Sequence, residues 1–328
     1  MNKEGFLTLR PYQLMCIVCK IGEGAKVDLK DKKLNSIIKA VRKNPNIPMV
    51  LKCNTESVYK YQNPGKTQDT KEGGLYGEKQ DLDILQKLGL VPGDVRPACE
   101  LFERLLQNIK SSKGVCGYKK ITSDTWKGCV KTESGFYEKG RNRGINAIIP
   151  PRSLYERKIA KTNSVKKMLS AKKLYIRPHH LLCAVCFYVR HRKPVSDDNL
   201  YEFIDIIRKN PDIPITLVRG CCMVCHPCKY YEPGTNLCIM KIGGGLRDDK
   251  KDLDVLQKLG LKFNDTIPAR KLYGLIFKKT SSTNPICAYG DGVVSAPEWN
   301  ICPDSRGAVK FGQAKKLFMK LFKRTQRS

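Results

Sequence analysis

Apolar positions along this chain recur mostly at helical spacing, in short stretches separated by proline and glycine. Between Leu200 and Lys209, Phe203, Ile204, Ile206 and Ile207 gather on one side of a helix, and Asn210-Pro211 stops the pattern. The β-branched run Ile213–Arg219 then predicts one short strand. A helix is predicted to open at Pro178, because proline suits the first helical position, and it carries Cys183 and Cys186. Two more follow, around Lys251–Leu259 with Gly260 closing it, and near Ala269–Lys278. The same order occurs earlier, with helices predicted near Pro11–Lys20, Lys32–Arg42, Gln80–Leu88 and Pro97–Lys110. Near the end, Ala314, Leu317, Phe318, Leu321 and Phe322 keep helical spacing, with Lys315, Lys316, Lys320 and Lys323 between them. Such a basic amphipathic helix docks on its own domain or lies on a membrane surface.

That parallel order reflects a repeat of about 170 residues, too few copies for a solenoid. Leu9-Arg10-Pro11-Tyr12-Gln13-Leu14-Met15-Cys16-Ile17-Val18-Cys19 returns as Ile176-Arg177-Pro178-His179-His180-Leu181-Leu182-Cys183-Ala184-Val185-Cys186. Arg42-Lys43-Asn44-Pro45 returns as Arg208-Lys209-Asn210-Pro211, and Leu85–Leu90 as Leu256–Leu261. Cys116 and Trp126 to Cys129 return as Cys287 and Trp299 to Cys302. The expectation is an α+β protein of two homologous, mostly helical small domains with short strands and a cysteine-rich loop. Its parts would be a degenerate N-terminal repeat over 1–139, a basic linker over 140–173, a cysteine-rich repeat over 174–305 and a basic tail helix over 306–328.

Charge sharpens that division. The 328 residues carry a formal +30, of which +10 falls within 139–173 and +8 within 306–328. The excess suits nucleic acid, anionic lipid or an acidic partner and does not choose among them. No stretch approaches eighteen consecutive apolar residues, so no transmembrane segment is expected, and the first residues lack the apolar run of a signal peptide. A reducing cytoplasmic setting is the expectation, in which cysteines serve more often as metal ligands than as disulfides.

Cysteine placement supplies the candidate chemistry. Five of the fifteen cysteines fall between Gly220 and Cys238. Cys225 and Cys228 form a Cys-x-x-Cys turn, and Cys238 follows a Pro-Gly turn that can return a third thiolate to the same ion. The competing reading is a redox-active or merely buried cysteine cluster. A fourth ligand would come from Cys302 or Cys287, in preference to Cys221 or Cys222. His179, Cys183 and Cys186 can share one helix face and form a further candidate group, although their apolar flanks equally suit core packing. Around the central thiols the first repeat offers Ser57, Tyr59 or Lys60, and Asp69, and it has Tyr12 and Gln13 where the second has His179 and His180. Residues absent together point to one shared purpose in the second repeat.

The opening Arg177-Pro178-His179-His180-Leu181-Leu182-Cys183, the Val224-Cys225-His226-Pro227-Cys228 turn, Cys238, Cys287, Trp299 and Cys302 resemble a family of small bacterial and archaeal proteins. It is a domain-of-unknown-function family regarded as iron–sulfur binding. The resemblance covers most of 174–305 and extends weakly over 7–130. It implies a thiolate ligand set and no reaction; the long insert between Cys287 and Trp299 departs from its pattern.

The leading expectation is therefore a cytoplasmic iron–sulfur protein working in electron transfer or redox sensing, with an acidic redox partner. The alternative is a zinc-stabilised module whose basic linker and tail grip nucleic acid. An enzyme using His179 or His180 as acid or base lacks an identifiable partner carboxylate. Gly243-Gly244-Gly245 lacks the Lys-Ser/Thr of a phosphate loop.

Overall fold

The computed structural model describes residues 5–25, 28–53, 74–191, 193–239, 244–288 and 311–323. It is an α+β structure in two units, Met1–Pro151 and Arg152–Ser328.

The first unit runs β1 (Leu7–Leu9), α1 (Pro11–Glu23), α2 (Lys32–Lys43), β2 (Pro48–Leu51), α3 (Gly74–Leu88), β3 (Val95–Pro97), α4 (Ala98–Asn108), α5 (Phe136–Arg143) and α6 (Ile145–Ile148). Its sheet has the order β1-β2-β3, parallel and then antiparallel, with Leu7 opposite Met49 and Met49 opposite Arg96. The crossover through α1 and α2 is what permits the parallel pair. Helix α1 starts on Pro11 and stops at Gly24, whose φ of 116° a side chain would resist. Its buried stripe of Leu14, Ile17, Val18 and Ile21 meets Ile37, Ile38 and Val41 of α2 in one core.

The second unit has α7 (Leu154–Leu169), β4 (Leu174–Ile176), α8 (Pro178–Arg190), α9 (Leu200–Lys209), β5 (Pro214–Leu217), β6 (Tyr231–Glu232) and β7 (Leu237–Cys238). It continues with α10 (Gly244–Leu259), β8 (Thr266–Pro268), α11 (Ala269–Lys279), α12 (Asn284–Cys287) and α13 (Phe311–Lys323). Its sheet, β4-β5-β8, is again parallel and then antiparallel, with Leu174 opposite Ile215 and Ile215 opposite Ile267. Phe203, Ile204, Ile206 and Ile207 are buried, as their spacing predicts. The small β6–β7 hairpin pairs Tyr231 with Cys238 beyond the cysteine turn.

The stretch expected as a linker is divided between the units and is largely helical. Helix α5 lies so close to α1 that a Cβ on Gly22 would stand 1.8 Å from the Phe136 carbonyl oxygen. One on Gly140 would stand 2.0 Å from that of Val18. Helix α7 is capped by Ser153, whose hydroxyl accepts from the Glu156 N–H while the Glu156 side chain reaches back. It belongs to the second unit, where Asn199 donates to the Ser164 hydroxyl at 2.8 Å and to the Met223 carbonyl at 2.8 Å.

Helix α13 keeps the expected amphipathic face, and that face is covered by its own unit. Phe311, Ala314, Phe318 and Leu321 are buried in the core that includes α8 and α11. Among the described residues no helix is long and apolar enough to cross a membrane.

Candidate metal centre

The site is organised by the start of α8. Arg177, the residue before Pro178, is buried and donates through Nε to Asp252 Oδ2 of α10 at 2.8 Å. The His179 backbone N–H and Nδ1 both meet Asp252 Oδ1, at 2.9 and 2.8 Å. His179, expected among the candidate ligands, is thus engaged in fastening α8 to α10. The first unit has the same fastening without an imidazole. Arg10 Nε donates to Asp81 Oδ2 at 2.6 Å, and the Tyr12 N–H donates to Asp81 Oδ1 at 2.9 Å.

Consecutive helical residues diverge by about 100° around the axis, so His180 faces another way. Its Nδ1 lies 3.2 Å from Cys222 Sγ. After β5 the chain turns at Gly220, with φ of 75°, and enters the cysteine turn. There the Cys225 N–H donates to the Cys222 carbonyl at 2.8 Å, and the Cys222 N–H points at Cys225 Sγ at 3.4 Å. The two sulfurs are 4.0 Å apart. The ligand atoms of His180, Cys222 and Cys225 all lie within 4.8 Å of one another, and among the described residues no other His/Cys/Asp/Glu group of three does so. Tetrahedral zinc, with the usual Zn–S and Zn–N lengths, asks for about 3.8 Å between two sulfurs and about 3.5 Å between sulfur and nitrogen. The Cys222–Cys225 and His180–Cys222 separations fall within a few tenths of an ångström of these values, and the His180–Cys225 pair lies within 4.8 Å. The donor set therefore fits a single thiophilic ion.

Cys221 is buried beside this group, and its contact with the Cys225 thiol is the largest influence on that thiol's ionisation. Together with burial it pushes Cys225 well above the ordinary thiol range. Burial, and then the neighbouring Cys225, raises Cys222 likewise. Burial lowers His180 below the ordinary imidazole range against the pull of Cys222. Without a cation the site thus holds neutral thiols and an imidazole with a lone pair to give. Binding a divalent ion must expel the thiol protons. Metal affinity is accordingly expected to rise with pH across the neutral range, by up to about 100-fold per pH unit if two thiol protons leave. Competition with a chelator of known pH dependence measures this slope; a flat profile would mean that the thiols are not ligands.

The remaining expected ligands are placed elsewhere. Cys228 Sγ takes the Tyr230 N–H at 3.4 Å, and Cys228 does not join the group around Cys225. Cys238 sits in β7, likewise outside it, with its carbonyl where a Cβ on Gly245 would stand 2.7 Å away. The Cys-x-x-Cys pair brought together with His180 is thus Cys222/Cys225 and not Cys225/Cys228. Both pairs have the same spacing, and only the direction of the turn separates them. Cys183, Cys186 and Cys287 line a cavity of their own. Cys302 and Trp299 lie outside the described residues, as do Ser57, Tyr59, Lys60 and Asp69 of the first repeat.

Arg152, just before α7, and Arg157 within it hold the far side of the turn. Arg152 Nη1 donates to the His226 carbonyl at 2.6 Å and to that of Cys228 at 3.3 Å, and Arg157 Nε donates to that of Pro227 at 3.3 Å. A tight turn leaves carbonyls without ladder partners, and the guanidinium groups supply partners here, the Cys228 carbonyl also accepting the Tyr231 N–H at 3.1 Å. The His226 ring stacks on Tyr231 at 5.3 Å, with Arg152 over the other ring at 5.4 Å. Part of the positive charge of the segment 140–173 is thereby committed inside the second unit. No protein-family model matches this chain, and no curated protein or solved structure matches it.

Proposed function

We propose that the second unit is a metal-binding module. His180, Cys222 and Cys225 would hold one thiophilic ion, zinc in the first place. The observation that carries this reading is the convergence of an imidazole nitrogen and two sulfurs at single-ion spacing. Three protein ligands with an open position suit a catalytic zinc, whereas a fourth thiol closes the shell and suits a structural one. Cys221 meets the Cys225 thiol but is not within 4.8 Å of all three donors, so the reading rests on three protein ligands. The bound ion would tie the start of α8 to the loop after β5, two segments about forty residues apart.

An iron–sulfur cluster on Cys225, Cys228 and Cys238, with an acidic redox partner, has less support, because mixed nitrogen and sulfur donors at this spacing suit one ion. For the nucleic-acid reading, Arg152 and Arg157 are occupied by backbone carbonyls, and Lys161 pairs with Glu202 at 2.7 Å. The phosphate-binding role then falls to the other lysines of α7 and to the tail. The matching element order and sheet topology support reading the two units as copies of one domain. In the first, Gln13 replaces His180 and accepts from the Arg10 N–H at 2.9 Å.

Anaerobic purification followed by metal analysis and an absorption spectrum tests the proposal. A colourless protein with stoichiometric zinc, lost in Cys222→Ser and in His180→Ala, is the expected result. Replacing the zinc by cobalt should give the intense visible bands of a tetrahedral thiolate site. A brown protein whose iron and sulfide survive Cys222→Ser would overturn it.

A further inference from the structure

A half-open pocket of 380 Å³ lies in the second unit, and none of His180, Cys222 and Cys225 lines it. Along α8, Cys183, Cys186, Phe187 and Arg190 recur at helical spacing and form one wall. The loop before α9 adds Val195 and Asp198. Thr283, just before α12, and Cys287 within it form another wall. The volume is far beyond a single ion and falls in the range of sites for small organic molecules, about 300–1,000 Å³.

Thr283 is 1% exposed, and its hydroxyl has no hydrogen-bond partner among the described residues. A buried hydroxyl is seldom left so. The first unit shows which chemistry suits this place. Ser111-Ser112 ahead of Val115-Cys116 matches Ser282-Thr283 ahead of Ile286-Cys287. The local backbone agrees: Cys116 donates to the Ser112 carbonyl, and Cys287 to that of Thr283, each at 2.7 Å. The Ser111 and Ser282 hydroxyls each accept a backbone N–H from two residues on, at 3.1 Å. In the first unit a carboxylate occupies the position. Glu138 Oε1 receives the Ser111 hydroxyl at 2.7 Å, the Ser112 N–H at 2.8 Å and the Ser112 hydroxyl at 3.1 Å. The Ser112 hydroxyl also lies 3.1 Å from the Thr132 carbonyl.

The facing helix differs between the units as well. Lys20 and Glu23 stand at the places of Phe187 and Arg190. They pair with each other at 3.4 Å, and Glu23 pairs with Lys131 at 2.7 Å. The second unit has an apolar ring and a cation there instead. Asp198, the one acid of the pocket wall, takes the Leu200 N–H at 2.8 Å, and burial raises its carboxyl above the ordinary carboxylate range. The wall therefore favours an anion, and a guanidinium with five N–H groups can serve a ligand beside another acceptor. We propose that this pocket binds a small organic monocarboxylate with an apolar body. The ligand's carboxylate would accept from the Thr283 hydroxyl, as Glu138 does from Ser112, with Arg190 supplying positive charge. Its aliphatic or aromatic body would lie along Leu182, Phe187, Val195 and Leu200.

The experiment uses the full-length protein with 3-phenylpropionate and octanoate as probes, and 3-phenylpropanamide as the neutral counterpart of the first. Both carboxylates should bind in calorimetric titration. The amide should bind at least about tenfold more weakly, because it forgoes a charge-assisted hydrogen bond. Arg190→Gln should weaken the carboxylates about tenfold and leave the amide unchanged. Thr283→Val should weaken the carboxylates by about 3- to 10-fold. Since that hydroxyl has no partner within the described protein, the ligand-free urea midpoint of Thr283→Val should stay level or rise. Val195→Trp, which fills the pocket from a loop, should abolish binding; should it fail to fold, the other two variants carry the test. Bound 3-phenylpropionate should slow alkylation of Cys183 and Cys186 by iodoacetamide, read by peptide mass, and leave that of Cys238 unchanged. Failure of both carboxylates to bind at millimolar concentration overturns the proposal. So does equal binding of the amide, binding that survives in a folded Val195→Trp, or a lowered urea midpoint in Thr283→Val. None of these readouts depends on the metal centre, so the two proposals fail separately.

Discussion

Asp252→Ala is expected to lower the unfolding free energy of the second unit by about 3 kcal/mol or more, the usual cost of leaving a buried charge without its partner. Asp252 is 1% exposed and receives Arg177 on one oxygen and both the backbone N–H and the ring of His179 on the other. Removing it leaves the Arg177 guanidinium with Asp249, which is half-exposed and holds it at 2.9 Å from one side only. Burial alone would raise the Asp252 carboxyl, but the His179 ring and the Arg177 charge outweigh it and hold the group below the ordinary carboxylate range. A depressed carboxylate stabilises the fold above its unfolded value and loses that contribution as pH falls through its folded one. The variant should therefore show a weaker dependence of stability on pH in the acid range as well as a lower urea midpoint at neutral pH. Because the same carboxylate sets the start of α8, the His180 centre should also bind metal about 10- to 100-fold more weakly. Urea unfolding followed by circular dichroism measures the first effect and chelator competition the second. A loss below about 1 kcal/mol would show that the network is not holding the helix.

Phe318→Ala should cost about 3–5 kcal/mol, the range for truncating a buried phenylalanine. The ring is fully buried and packs at 4.8 Å from Tyr273, 5.5 Å from Tyr188 and 6.1 Å from Phe277. No single neighbour can close so large a gap, and Tyr273 is itself held by its hydroxyl donating to the Leu181 carbonyl at 3.3 Å. The substitution therefore discriminates between the two readings of the basic tail. If α13 is part of the core, the variant shifts the denaturant midpoint in plain buffer, and anionic vesicles leave the wild type's midpoint unchanged. If the helix serves a membrane surface, truncation leaves stability in buffer nearly untouched and weakens vesicle binding.

Local patterns were legible where one residue type decides the backbone. Pro11 and Pro178 open their helices, Gly24 closes the first, and the apolar stripe of α9 is buried at the expected positions. The long helices α3 and α10 begin earlier than their periodicity suggested, at Gly74 and Gly244, because glycine and charged residues mask the first turns. The strands β1 and β4 have three residues each, too few for an alternating pattern, and they exist through pairing with β2 and β5. The candidate site was half legible. Cysteine density marked the loop, and the comparison of the two halves marked the histidines. The choice of His180 over His179 depended on Asp252, seventy-three residues away from His179, which takes the first histidine and leaves the second for Cys222.

By itself the sequence determined that this chain carries two like arrays of helices with brief strands, a doubled set of helix-borne thiols and one additional cysteine turn. Those features follow from proline, glycine and apolar spacing, which act over a few residues. Only the tertiary structure decided which thiols face one another, and that the basic stretch after Pro151 braces the cysteine turn. A ligand set depends on directions in space, and those directions are settled by buried ion pairs and carbonyl contacts between residues far apart in the chain.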